Sequence, residues 1–342
     1  MYRIRVRSKG KPAPIYAVLL ILMLMTLVWL GSRPSPSAPG RPSARPHARS
    51  GSTAASSQPY LPAAVIPRSA PSRLPFTLGE PSGILWNLNT HQLLWALHPH
   101  LQGGLASTTK LMTFNLAYHR LSLPQVVTIG LQAAATPGSD IFMQAGEHYT
   151  VRQLLYALLM ASANNASVAL AEAADHHTAR FVQLMNRTAR RLGMSQTHYA
   201  DPDGLSPASY GTAWDLSIIV QQDMQIPLFR RIVDTRVTSL PHNPVVSNLN
   251  GLLRLDPSVI GVKTGWTTAS GFSVIFAARR TVDGHPVTLL GILMHGQDGF
   301  RPVYSDAEKL LNWGFSQVQH SLARSPSQTA RPVVHGTGSG HT

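Results

Sequence analysis

The sequence predicts an α+β fold: one domain whose antiparallel sheet is completed by both of its ends, with a mostly helical segment inserted between them. Three observations predict it. Strand-like runs lie at both ends of residues 76–317, helical periodicity with apolar residues at i, i+3 and i+4 fills the middle, and tight-turn signals join the strands pairwise.

In chain order, 83–89 (GILWNLN) and 92–97 (QLLWAL) read as a hairpin turning at Asn89-Thr90-His91. A helix is expected over 108–121, then loop and short strands over 124–146. Helices follow over 151–160, 165–174, 179–192 and 214–224, the last ended before Pro227. Strands are expected over 259–264, 272–279 and 287–294, with an Asp283-Gly284 turn between the last two. A closing helix spans 303–314.

Charge divides the chain. The whole carries 29 Lys/Arg and 15 Asp/Glu, a net +14, yet residues 1–75 contain eleven of the bases and no acid. Residues 76–317 hold sixteen bases and fifteen acids, so the folded part is almost neutral and a nucleic-acid-binding face is not supported. Cysteine is absent, which excludes disulfide frameworks, zinc–thiolate sites and thiol catalysis.

Five cations (Arg3, Arg5, Arg7, Lys9, Lys11) precede an uncharged run over 15–31, which at 1.5 Å per residue spans roughly 26 Å, slightly less than a hydrocarbon core. Residues 1–31 are read as a cytoplasmic basic stretch and an uncleaved signal anchor, with a cleaved signal peptide as the alternative. The positive-inside rule then puts everything after Gly31 outside the cytoplasmic membrane. Residues 32–75, rich in Pro, Ser, Ala and Arg, are expected to be a disordered linker, and 318–342 a disordered tail.

Three short motifs carry chemistry. In Ser107-Thr108-Thr109-Lys110 the i, i+3 spacing puts an amine one turn from a hydroxyl, and burial or a neighbouring cation can lower its pKa enough to make it a base. In Ser162-Ala163-Asn164 the hydroxyl can pass a proton from Lys110 to a leaving group, and the carboxamide can hold a substrate carbonyl. In Lys263-Thr264-Gly265, followed by Trp266, cation and hydroxyl suit a substrate carboxylate. Gly265 allows close backbone approach, so the Trp266 and Ser107 amides can form an oxyanion hole. Lys263 is also expected to depress the Lys110 pKa. Singly, each motif reads equally well as a helix cap or an exposed strand end.

Together, in this order, they resemble the low-molecular-mass penicillin-binding proteins, the serine-type D-alanyl-D-alanine carboxypeptidases. The resemblance covers about residues 80–316 and extends to 105–113, 154–166, Met185-Asn186, Leu192-Gly193-Met194, Pro202-Asp-Gly-Leu205, 248–252 and 261–271. It implies a β-lactamase/DD-peptidase-like fold and acyl transfer on peptidoglycan stem peptides. Ser107 would be the nucleophile, β-lactams would acylate it, and no metal or cofactor is implied. Arg301 sits where the family has an arginine associated with the substrate's terminal carboxylate.

Ala163 and Asn165 depart from the family's usual Gly and Asp. A DD-endopeptidase is the neighbouring alternative, and a catalytically silent wall-binding protein is the alternative of another class. A class A β-lactamase needs a glutamate between the second and third motifs to activate the deacylating water, and after Glu172 no glutamate occurs until Glu308.

Overall fold

The computed structural model describes residues 73–324. The expected membrane segment, nearly all of the linker and the chain beyond Arg324 lie outside the described residues. No helix among the described residues is long and apolar enough to cross a membrane.

The hairpin β1 (Ser82–Asn87)–β2 (Gln92–Leu97) and the short β3 (Gly103–Gly104) lead to a 3-10 turn, Ala106–Thr109, that runs into helix α1 (Lys110–Arg120). Next come β4 (Val126–Thr128), α2 (Leu131–Ala134), β5 (His148–Thr150), α3 (Val151–Met160), α4 (Asn164–Asp175) and α5 (Thr178–Arg191). Then follow β6 (Tyr210–Gly211), α6 (Ala213–Asp223), α7 (Pro227–Asp234), β7 (Val237–Leu240), β8 (Asn243–Ser247) and α8 (Leu252–Leu255). The chain closes with β9 (Val259–Thr267), β10 (Gly271–Val282), β11 (His285–Gly296) and α9 (Phe300–Arg324).

The main sheet has the order β2-β1-β11-β10-β9, antiparallel throughout. The first hairpin therefore pairs with the last strand, from Ser82 opposite Met294 to Asn87 opposite Leu289. Both ends complete the sheet, as predicted. All six residues of β1 are buried because both sheet faces are covered. Ile84 and Trp86 join the core of the inserted helices, whereas Leu85 joins the core beneath α9.

Turn chemistry fixes the register. Asp283 and Gly284 both have positive φ (48° and 82°), which matches a two-residue hairpin between Val282 and its partner His285. At the other hairpin, Asn87 Oδ1 accepts the Asn89 amide at 3.0 Å. A capping box starts α3: Thr150 Oγ1 accepts the Gln153 amide and Gln153 Oε1 accepts the Thr150 amide. It fixes the helix whose far end delivers Ser162.

Three differences from the sequence reading have physical causes. Pro227 begins helix α7 as well as bounding α6, because its missing amide costs nothing in a first turn. The β7–β8 hairpin was absent from the reading, and β7 exposes most of its length, so no apolar alternation marks it. The closing helix passes the expected stop at Gly314 and continues through the first residues of the expected tail to Arg324, burying Val318 and part of Leu322. Gly314 is a contact residue: a Cβ there would stand 2.6 Å from Leu85 Cδ2 and 2.9 Å from Leu289 Cδ1. Gly314→Val is therefore expected to cost about 2 kcal/mol of stability, read by urea unfolding, despite valine's better helix propensity.

Near the start of the domain Glu80 faces Asp306 of α9. Burial, then the Asp306 charge, push the Glu80 carboxyl up to about 7, and Glu80 Oε2 has no hydrogen-bond partner. A carboxyl whose folded pKa lies above its unfolded one binds more protons when folded, so stability falls as pH rises from about 4.5 through 7. Glu80→Gln should raise the melting temperature at pH 8 and lose that advantage at pH 5.

Candidate active site

Ser107 sits in the 3-10 turn that feeds α1, preceded by Ala106 in the left-handed region (φ 47°). Neither the turn nor α1 uses a side-chain cap, so the Ser107 hydroxyl is not spent on helix capping. Lys110, the first residue of α1, is fully buried. Its Nζ lies 3.0 Å from Ser107 Oγ, 2.7 Å from Asn164 Oδ1 and 2.6 Å from the Asp203 carbonyl oxygen. An ammonium has three N–H donors, and these three acceptors use all of them. Loss of one proton frees a lone pair that can accept the Ser107 O–H.

Burial pulls Lys110 down to about 8, against the opposing pull of Asp203 and Asp201. Of the two causes expected from the sequence, burial and a neighbouring cation such as Lys263, burial is the one that lowers Lys110. The coupling of the two lysines falls instead on Lys263, which burial first and the Lys110 charge second hold well below the usual lysine range.

Lys263 lies within β9, paired with Ile275, and is 1% exposed. Its Nζ contacts Ser162 Oγ at 2.9 Å and the Thr264 carbonyl at 2.9 Å. It is therefore not a solvated strand end. Ser162 (φ 57°) joins α3 to α4 and caps neither helix. Its hydroxyl is bonded to Lys263, while Lys110 takes Asn164 from the same motif. The expected proton path from Lys110 through Ser162 is thus not a direct hydrogen bond in this state. Asn164 is held at both ends, since its Nδ2 donates to the Pro137 carbonyl at 2.8 Å.

At Gly265 a Cβ would lie 3.1 Å from Thr108 Cγ2 and 3.2 Å from the Leu105 carbonyl oxygen, so the bare backbone lets β9 pass against the Ser107 turn. Thr264 is buried, whereas Trp266 is half-exposed and stacks on Phe272 with centroids 5.4 Å apart. Phe272 meets Phe300 at 5.0 Å, which ties the end of β9 to the start of α9. Arg301, next along α9, is exposed and stands outside the hydrogen-bonded cluster.

The sequence reading missed a role for Asp203. It had noted Pro202-Asp-Gly-Leu205 only as pattern, and nothing local marks a backbone oxygen that meets a lysine 93 positions away.

A serine hydroxyl against a buried lysine, with a second lysine on β9 bonded to the serine between α3 and α4, defines a class: serine hydrolases that work through an acyl-enzyme. Comparison with known proteins narrows it. A family model described as D-alanyl-D-alanine carboxypeptidase, peptidase S11, matches residues 72–291. The D-alanyl-D-alanine carboxypeptidase DacD of Escherichia coli is 33% identical over 73% of this chain and 69% of its own length. A D-alanyl-D-alanine endopeptidase of the same species is 28% identical over 75% and 84%. The crystal structure of the Streptomyces K15 DD-transpeptidase superposes with a TM-score of 0.64 at 30% identity, covering 70% of this chain and 98% of that one. The chain belongs to the D-alanyl-D-alanine carboxypeptidase family of serine peptidases.

Proposed function

We propose that this protein removes the terminal D-alanine from peptidoglycan stem peptides through an acyl-enzyme at Ser107. The observation that carries the reading is the 3.0 Å contact between Ser107 Oγ and the buried Lys110 Nζ. Neutral Lys110 takes the Ser107 proton as Oγ attacks the penultimate D-Ala carbonyl. The Ser107 and Trp266 amides receive the developing oxyanion, and the carbonyl–nitrogen bond breaks. The leaving D-alanine nitrogen takes a proton from the Ser162–Lys263 pair, which Lys110 replenishes. Water then cleaves the ester, its proton passing to a lysine and Ser107 recovering its own.

Lys263 supports the substrate assignment through its burial. A buried amine favours its charged form only when a counter-charge arrives. The substrate's C-terminal carboxylate is that charge, met by Lys263 and the Thr264 hydroxyl, with Arg301 at the outer edge. β-Lactams, which also carry a carboxylate beside a reactive amide, acylate the same serine. The uncharged run over 15–31 behind five cations supports an N-terminal membrane anchor with the catalytic domain, residues 76–317, outside the cytoplasm.

Incubating the protein with a pentapeptide muropeptide and with a cross-linked dimer, then separating products by mass, tests the reading. Loss of one D-alanine from the pentapeptide is expected. Cleavage of the dimer alone would replace it with an endopeptidase, and turnover of neither would reject both.

A further inference from the structure

Helix α5 (Thr178–Arg191) buries Phe181, Met185, Thr188 and Ala189 against the domain and turns four arginines outward. Arg180, Arg187, Arg190 and Arg191 are all exposed. At about 100° per residue, positions seven and eleven beyond Arg180 return to within about 20° of it, so Arg180, Arg187 and Arg191 form one line. That line spans roughly 16 Å along the helix. The helix holds no acid, although residues 76–317 as a whole carry sixteen bases and fifteen acids. The arginine ion pairs among the described residues are Arg120–Asp175 and Arg280–Asp256, and neither involves α5. Of the four guanidiniums only that of Arg191 donates a hydrogen bond within the described residues, to the Thr188 hydroxyl. The chain outside them contains no Asp or Glu side chain that could serve as a partner.

Helix stability explains only part of this row. Arg190 and Arg191 lie in the last turn, where the helix dipole favours cations. Arg180 lies in the first turn, where the dipole opposes a cation, and Arg187 and Arg191 are a like-charged i, i+4 pair. Both arrangements weaken an isolated helix and become favourable when anions meet the row. Helix α5 packs against α4, whose first residue, Asn164, holds Lys110. The row lies on the side of α5 opposite its buried residues, so an anion bound there leaves Ser107 open.

We infer that this arginine row is a docking ridge for the peptidoglycan strand itself, resting on the reading of stem peptides as substrate, in which the free carboxylates of neighbouring stems pair with Arg180, Arg187 and Arg191. Stems repeated along one strand make a linear polyanion. A linear row of guanidiniums, each able to take a carboxylate bidentately, complements it in charge and in shape. An anionic lipid surface would instead call for cations spread over a plane. Several weak contacts made at once hold the domain on its polymer while single stems exchange at Ser107.

The test measures co-sedimentation of the protein with purified peptidoglycan in excess penicillin, which keeps stems out of the Ser107 site. The parent should bind, and Arg180→Gln/Arg187→Gln/Arg191→Gln should bind about tenfold more weakly, as the loss of three exposed charge contacts would give. Glutamine keeps the helix propensity, so this variant should fold. Converting the polymer's carboxylates to amides with carbodiimide and ammonia should weaken the parent to the same degree. A net-charge control that removes three exposed arginines elsewhere, Arg152→Gln/Arg231→Gln/Arg279→Gln, should bind as the parent does. D-Alanine release from a soluble pentapeptide, measured without penicillin, should have the same kcat/KM in the parent and the ridge variant. Equal binding by parent and ridge variant, or equal loss in both triple variants, would overturn the ridge. Binding to phosphatidylglycerol vesicles with none to peptidoglycan would overturn its occupant. Peptidoglycan binding that follows the ridge while the parent releases no D-alanine would uphold the ridge and reject the activity at Ser107.

Discussion

Ser107→Ala is expected to lower D-alanine release from a pentapeptide donor by at least about four orders of magnitude and to abolish labelling by penicillin. The fold should survive. Ser107 is only partly buried and caps no helix, and a methyl group in place of the hydroxyl creates no appreciable cavity. Its one side-chain partner is Lys110, which keeps Asn164 Oδ1 and the Asp203 carbonyl. The variant should therefore unfold within a few degrees of the parent, and should still bind the carboxylate of a donor at Lys263. A loss of activity with unchanged melting temperature and retained, unreacted ligand is the expected signature. Substantial residual labelling would move the nucleophile elsewhere.

Lys110→Met should slow acylation about a thousandfold, the upper part of the range for a positioned general base. Methionine keeps much of the length and the burial while removing the amine. The parent enzyme supplies the matching pH signature. Lys110 works only when neutral, and burial places it at about 8. The second-order acylation rate should thus rise with pH up to about 8 and then level, falling about tenfold for each unit below that point. In Lys110→Met the acid limb should vanish together with most of the rate. Stopped-flow acylation by a chromogenic penicillin from pH 5.5 to 9 measures both. A parent profile that is flat through this range would remove the lysine from the role of base.

The parts of the fold visible in the sequence were those in which a local rule and the tertiary structure agree. The strands at both ends were readable because the inner sheet is apolar on both faces, and Asp283-Gly284 declared its own turn. Gly314 misled because a glycine in a helix signals a stop when only the chain is seen. It instead lets α9 lie against Leu85 and Leu289, contacts that only the packed sheet reveals.

The candidate site divides in the same way. Ser107 and Lys110 meet because i, i+3 on a helical turn is a local geometry, and the structure brings together the motif residues Asn164, Ser162 and Lys263 that the order of the motifs implied. Their pairing was not legible: Lys110 takes Asn164 while Lys263 takes Ser162. Nor was the choice between burial and a neighbouring cation as the source of the Lys110 depression. That source lies in complete burial beneath the 202–205 segment, a property of packing that no short motif encodes.

Acyl transfer in this protein requires a covalent adduct on Ser107. Trapping the protein with a slowly hydrolysed penicillin, digesting it and locating the adduct by tandem mass spectrometry tests this most directly. One acyl group per chain is expected, on the peptide containing residues 105–110 and on Ser107 within it. An adduct on Ser162 or on any other residue, or no adduct with a folded protein, would contradict it.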